Sequence, residues 1–465
     1  MTEIEKWVED HEAEMVSDIC QLVRIPSISQ RTQDGEAPFG KPCRDAMEKA
    51  LEIGRNMGFE AFNHENYCGT LLWKGESEEE IGIFGHTDVV PAGSGWSYEP
   101  FTPVVKDGLI IGRGSSDNKG SLVAALYGIK YLKDTGYKPT KSIRFFLGCS
   151  EEKGMEDVQY YVSHYREPEF SLVPDVMFPV CNGEKGIMEL DACCEKKSRV
   201  LKSFQSGIMS NAVPADAKAV LILSKEEAEK VKARGRESGV CVQEKEDGCL
   251  EIHMKGIAAH AAFPEGSESA ELKLAEFLLE LEVLDREGAG LMEGVKTFFS
   301  DYYGAGLDIP YEDEASGKLT HVGGMAEYDG ETFRQNINIR YNVTAVYDDM
   351  VAAMTKKLEA SDFHITRIHN SNPCFTDPDS PQVQKLLQIC GKYLGEGLKP
   401  YVMGGGTYAR RLRHGVGFGP GIPGKKKLFG DERGGAHQPD EYVEIAHLKK
   451  AVVIYADAIK ALDNE

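Results

Sequence analysis

Short apolar runs at Thr70–Trp73, Ile81–Phe84, Ile143–Gly148 and Val176–Val180 are each bounded by turn signals and read as buried strands. Between two of them lies Ser121–Lys133, where Leu122, Ala125, Leu126, Ile129 and Leu132 line one helical face. Gly136 stands where a helix stop belongs. Strand, helix, strand at this spacing calls for an α/β layer, because parallel neighbours need a crossover long enough to hold a helix. Upstream, Ile4, Val8, Met15, Ile19 and Leu22 fall near a 3.6 period and predict an opening helix that Pro26 helps to end. A second amphipathic helix is predicted from about Cys43 to Met57, with Gly58 as its stop.

From about Ile187 the texture changes. Ala217–Leu223, Val240–Glu244 and Leu250–Lys255 read as strands around a charged helix, Lys225–Arg236, and a helix follows near Leu272–Leu284. A second set comprises Leu319–Val322, Asn336–Val343, a helix Tyr347–Leu358 and His364–Ile368, so the region reads as two α+β lobes in series. From about Pro381 the α/β texture returns with helices Val383–Tyr393 and Val443–Leu462. The chain has 465 residues, and single cores rarely grow past roughly 250–300 residues. The expected fold class is α/β: a discontinuous domain over residues 1–186 and 380–465, with a mixed sheet flanked by helices, and an inserted two-lobed α+β domain over 187–379.

Charge narrows the function. Asp and Glu number 75 against 53 Lys and Arg, a net charge of −22. Such a surface repels phosphate backbones and anionic lipid, which argues against nucleic-acid and membrane partners. No apolar run approaches the roughly 18–20 residues of a membrane span. The opening MTEIEKWVEDHEAEM has no basic, apolar leader pattern, and the eleven cysteines show neither CxxC pairs nor framework spacing. The expected location is cytoplasmic, with reduced, mostly buried thiols.

Each unusual His or carboxylate cluster of the first half sits near a predicted buried strand, and open α/β sheets place ligand sites at the strands' carboxyl ends. In GHTDVVPAG, His86 and Asp88 are two apart and point to one side of an extended chain. In GRGSSDNKG, glycines allow close backbone approach and Asp117 precedes a predicted helix. In CSEEKG, Glu151 and Glu152 leave a strand with diverging side chains, so one can face a metal and the other a water. Asp175 stands at the start of the Val176–Val180 run, and His437 lies far down the chain in GGAHQPDEY. Taken singly, each reads as readily as a helix cap, a core histidine or a solvated acid. Together, His86, Asp117, Asp175, Glu152 and His437 suit a pair of dications if Asp117 bridges, which leaves Glu151 free as a base.

GHTDVVPAG, GRGSSDNKG, SEEKG, the Asp175 segment and AHQPDEY, in this order, resemble the co-catalytic dinuclear metallopeptidases. That family includes aminoacylases, acetylornithine and succinyl-diaminopimelate deacylases, carnosinases and bacterial dipeptidases; the peptidase V type looks closest. The resemblance implies one metal on His86, Asp117 and Asp175, a second on Asp117, Glu152 and His437, and Glu151 as general base. It implies Asp88 as the partner of His86 and a cis peptide after Asp117. The two divalent ions per subunit are expected to be zinc, with manganese or cobalt as alternatives. In the inserted region, SNAVPADA offers Asn211 as a substrate contact, KGIAAHAAFPEG offers His260 to polarise the scissile carbonyl, and NINIRYNV offers Arg340 for the substrate carboxylate. GGGTYAR, with Gly405 and Thr407, resembles the loop beside the substrate's C-terminal end.

The implied activity is hydrolysis of dipeptides or short peptides. A long two-lobed insert argues against an N-acyl amino acid deacylase, whose single-lobed lid dimerises, and implies a monomer. An intact Glu151 argues against a non-catalytic metal- or peptide-binding homologue. GPGIPGKK, Gly419–Lys426, imitates a phosphate-binding loop, but Lys426 replaces the required Ser/Thr and prolines interrupt it.

Overall fold

The computed structural model describes residues 2–424, 428–430 and 432–464; Lys425 and Lys426 of the GPGIPGKK segment lie outside the described residues. The chain divides into two compact units. One comprises the N-terminal segment through Gly183, Phe375–Tyr401 and the segment from Gly406 onward; the other comprises Glu184–Cys374 and Val402–Gly405. The return of Val402–Gly405 to the inserted unit has no sign in the sequence pattern. It rests on hydrogen bonds such as Lys185 N to Met403 O, at 2.8 Å.

The first unit is built on a mixed sheet. Six of its strands run in the order Glu60–His64, Cys68–Trp73, Ser142–Gly148, Glu80–His86, Phe170–Val173 and Gly415–Gly417, and Cys181–Glu184 pairs beyond the last of them. The last four of the six are parallel, and an antiparallel hairpin closes one edge. Glu12–Val23, Lys41–Asn56, Lys119–Asp134 and Ile445–Asp463 bury their apolar faces in one core with these strands. Lys119–Asp134 approaches Ile445–Asp463 so closely at Gly128 that a Cβ there would sit 2.9 Å from Tyr455 Cβ.

Some local expectations change. The opening helix is two, Glu3–Asp10 and Glu12–Val23. The His11 ring places Nδ1 2.8 Å from Trp7 O and stacks on Trp7, and His11 leaves helical geometry. The strand expected at Val176–Val180 is only Val176–Met177, because Pro179 has no N–H for a ladder. The strand that enters the main sheet here is Phe170–Val173, and Asp175 lies between it and the short Val176–Met177.

The inserted unit carries one antiparallel sheet of eight strands. One half orders Cys241–Glu244, Leu250–Lys255, Asp216–Leu221 and Leu201–Ser206; the other orders Thr320–Tyr328, Thr332–Tyr341, Gly186–Glu195 and His364–Ser371. The halves meet along a seam of three residue pairs, Phe204–Tyr328, Gln205–Glu327 and Ser206–Ala326. The two lobes expected from sequence therefore share a sheet and a core. A helix missed by pattern, Arg286–Phe298, contains Gly288, Gly290 and Gly294, which lower its propensity. Asp285 caps it, and a Cβ at Gly294 would meet Phe363 at 2.9 Å. Among the described residues no helix is long and apolar enough to cross a membrane.

Glu271, on the helix Ala270–Glu280, is fully buried and accepts from Ser206 Oγ at 3.2 Å. Burial pushes its carboxyl from 4.5 up to about 7. A raised carboxyl pKa favours the folded state most when protonated, so this contribution is complete below pH 4.5 and lost as pH rises through about 7. Glu271→Gln should therefore stabilise the chain at pH 8, by on the order of 2 kcal/mol, and not at pH 4.5. Denaturant midpoints of both proteins at the two pH values check this; an equal difference at both would refute it.

Candidate metal centre

The parallel strands deliver their ends to one place. His86 ends Glu80–His86, Glu151 and Glu152 lie on a tight turn after Ser142–Gly148, and Asp175 follows Phe170–Val173. Asp117 precedes the helix Lys119–Asp134, and its peptide to Asn118 is cis. His437 enters from the C-terminal segment with φ at +63°.

The distances form a chain. His86 Nε2 lies 3.2 Å from Asp117 Oδ1 and 3.6 Å from Asp175 Oδ2. His437 Nε2 lies 3.1 Å from Asp117 Oδ2 and 3.1 Å from Glu152 Oε1. Potential ligand atoms of His86, Asp117 and Glu152 all fall within 4.8 Å of one another, as do those of His86, Glu151 and Asp175. His86 is 1% exposed, and neither its Nε2 nor Glu151 Oε1 has a well-aligned hydrogen bond.

Protonation follows from this crowding. Burial raises Glu151 well above the usual carboxylate range, raises Asp175, and with the Asp117 charge raises Glu152 to about 7. Burial alone would lower His86, but the carboxylates of Asp117, Asp175 and Asp88 outweigh it and hold the imidazole well above its ordinary value. Asp117 and Glu152 lift His437 to about 11. Burial would raise Asp117, yet the two histidines pull it below its usual range. Among the described residues, the ion-pair partners of Asp117, Glu152 and Asp175 are these histidines alone. Acids in excess of the two imidazoles must either share protons or hold multivalent cations, and the lack of a well-aligned hydrogen bond at buried His86 Nε2 and Glu151 Oε1 suits cations.

The surrounding groups hold this set in shape. Asp88 is the residue expected to partner the His86 ring. His86 Nδ1 lies 3.0 Å from the Asp88 carbonyl and 3.4 Å from Asp88 Oδ1, so both the main chain and the carboxylate of Asp88 face the ring. The Asp88 carboxylate accepts from Glu151 N and Glu152 N, both at 3.1 Å. Asp157 accepts from Cys149 N at 2.6 Å and Ser150 N at 2.8 Å, and Tyr408 OH donates to it. Two buried carboxylates thus take the N–H groups of residues 149–152 in succession. Asn118 Nδ2 donates to Asp175 Oδ1 at 2.7 Å and orients it. Sequence reasoning missed Asn118, Asp157 and Glu441. Their signal was position alone: beside Asp117, five residues after Glu152, and four residues after His437.

Asn211, His260, Arg340 and Gly405 belong to the inserted unit, and Thr407 to the first. Ala261 N donates to Asn211 O at 2.9 Å, and Ala212 bridges to His260, so those two segments run side by side. Thr320 Oγ1 donates to Ala261 O at 2.8 Å, and Thr320 pairs with Arg340 across the sheet. Arg340 is buried, with Nε donating to Asn338 Oδ1 at 3.0 Å and Nη1 to Gly404 O at 3.1 Å. The inserted unit therefore gathers Asn211, His260, Arg340 and the Gly404–Gly405 turn at one end of its sheet. Thr407 is buried and accepts from Ala409 N at 3.2 Å.

Comparison with known proteins places this arrangement. Putative dipeptidase YtjP of Bacillus subtilis is 35% identical over 97% of both chains. Beta-Ala-Xaa dipeptidase of Lactobacillus delbrueckii is 32% identical over 97% of this chain and 96% of that protein. Human carnosine dipeptidase 1 shares the fold, with a TM-score of 0.56 over 99% of both chains at 14% identity. Residues 82–461 match the profile of Peptidase family M20/M25/M40. With His86 and carboxylates at the strand ends of a mixed sheet and full-length similarity to dipeptidases, the chain belongs to peptidase family M20/M25/M40.

Proposed function

We propose that the chain is a dipeptidase using two divalent ions, one held by His86, Asp117 and Asp175 and one by Asp117, Glu152 and His437. The split of the Asp117 carboxylate carries this reading: one oxygen is 3.2 Å from His86 and the other 3.1 Å from His437. Mixed imidazole and carboxylate donors suit zinc, and accept manganese or cobalt. Bound there, the ions supply Lewis acidity toward a carbonyl oxygen and lower the pKa of water toward neutrality. Glu151 takes the proton of the attacking water at Oε1 and returns it to the leaving amine. Asp88 and Asp157 keep the Glu151 turn fixed, so its carboxylate is aimed before substrate arrives. His260 polarises the scissile carbonyl, while Asn211, Arg340, Gly405 and Thr407 receive the carboxylate end of the substrate. The chain acts as a cytoplasmic monomer, with His260 serving its own site.

The test strips metal with a chelator, restores zinc, manganese or cobalt singly, and assays dipeptides beside N-acetyl and N-succinyl amino acids. Metal-dependent release of amino acids from dipeptides is expected. Turnover of acylated amino acids alone would make the chain a deacylase, and no turnover with any ion would make it a binding protein.

Arg340 gives a sharper prediction. Its planar fork, oriented by Asn338 and the Gly404 carbonyl, can hold a carboxylate through two charge-assisted bonds. Blocking that carboxylate as an amide removes the substrate's charge from this contact, a loss of about 2–5 kcal/mol. The free dipeptide should exceed its C-terminal amide and the extended tripeptide in kcat/KM by roughly 30- to several thousand-fold. In Arg340→Ala the preference should mostly vanish. Equal cleavage of all three by the wild type would remove the carboxylate-reading role.

A further inference from the structure

Glu441 lies four residues past His437 and is fully buried. Its Oε1 accepts from Ser116 N at 2.8 Å and Asp117 N at 2.9 Å. Its Oε2 accepts from Gly114 N at 3.0 Å and Arg113 Nη1 at 2.7 Å. Its main-chain carbonyl accepts from Gly112 N at 2.8 Å and from Ser115 Oγ at 3.3 Å. One residue therefore accepts six hydrogen bonds from six residues, the unbroken segment Gly112–Asp117.

That segment lies outside the helices and strands, so a buried carboxylate does for it what a ladder does elsewhere. Arg113 is 1% exposed, stacks over the Trp96 ring at 5.2 Å and also donates to Ala92 O at 3.3 Å. The anchor is itself anchored. Asp440 accepts from Ser97 N at 2.7 Å and pairs with Arg433. The chain is thus pinned on both sides just beyond His437. GRGSSDNKG and AHQPDEY, far apart in sequence, are joined through Glu441.

We propose that Glu441 is a positioning residue that sets the Asp117 carboxylate and ties it to the His437 segment, so that the two present their ligand atoms together. This rests on the two-ion reading above. Its action passes through the Asp117 backbone and not through any contact with substrate. Glu441→Gln keeps the volume but turns an amide NH2 toward two groups that are themselves donors. Glu441→Asp keeps the charge and shortens the reach by one methylene, so it cannot satisfy both pairs of donors at once.

The experiment uses the full chain, stripped by chelator, and Mn²⁺ as the probe in equilibrium dialysis, with far-UV circular dichroism to establish folding. Partners beyond the direct ligands typically carry 10–100-fold in metal affinity. Glu441→Gln should weaken Mn²⁺ binding by that order, and Glu441→Asp should fall between it and the wild type. Activity at saturating Mn²⁺ should recover more than activity at limiting Mn²⁺, which a general loss of folded protein would not produce. If only the Asp variant folds, its affinity and its metal-dependent recovery carry the test. Variants that bind Mn²⁺ as tightly as the wild type would overturn the role given to Glu441. A wild type that binds no Mn²⁺, zinc or cobalt would instead remove the two-ion reading, and this inference with it.

Discussion

Glu151→Gln should lower dipeptide turnover by roughly 10²–10⁴-fold, the contribution typical of a positioned general base, while folding and metal content stay as in the wild type. The carboxylate lies on the turn Glu151–Lys153, its N–H is held by Asp88 Oδ1 at 3.1 Å, and Oε1 has no hydrogen-bond partner. The amide keeps the shape and removes the capacity to take a proton. Burial raises the Glu151 carboxyl well above its usual range. A second role is geometrically open, since a Glu151 oxygen falls within 4.8 Å of ligand atoms of His86 and Asp175. Metal content decides between them. A variant that loses an ion would make Glu151 a ligand, and one with near wild-type turnover would exclude both roles.

Asp117→Ala should abolish activity and lose both ions. Each would keep only two protein ligands, His86 with Asp175 and Glu152 with His437. Asp117→Asn should keep one ion of the two, because an amide presents a single good oxygen. The separate approaches of Oδ1 to His86 and Oδ2 to His437 make this graded outcome specific. Metal analysis after gel filtration reads it directly. Loss of a single ion from the Ala variant would show that Asp117 does not bridge.

His86, Glu151, Glu152 and Asp175 were legible because each stands beside an apolar run. A histidine ending IGIFGH and acids following FFLGCS are each ambiguous alone, and it is their recurrence beside successive apolar runs that made strand-end chemistry readable. The residues that hold those donors were not. Asp157 looks like an ordinary acid in the first turn of Glu156–His164, and Glu441 like a solvated neighbour of Asp440. Their importance lies in burial against N–H groups from distant segments, which no local pattern encodes. Sheet continuity was hidden for the same reason. The seam between Leu201–Ser206 and Thr320–Tyr328 joins residues more than a hundred positions apart, through main-chain bonds that leave no mark on side-chain spacing. His11 shows the opposite limit, where one side chain tied to the Trp7 carbonyl divides a helix whose periodicity looks unbroken.

The strand Gly415–Gly417 pairs with Phe170–Val173 in the sheet of the first unit. A ribosome reaches it only after making every strand of the inserted unit, which lie within Gly186–Ser371. The inserted segment can therefore close its sheet while still tethered, whereas the first unit cannot. At 5–20 residues per second, the open edge of Phe170–Val173 waits roughly 10–50 s for its partner. During that interval Phe170, Leu172 and Val173, all buried in the finished chain, lie along an unpaired edge that invites intermolecular pairing. Nascent chains stopped before Gly415 should thus be the aggregation-prone species and the natural clients of chaperones, with the inserted unit already folded inside them.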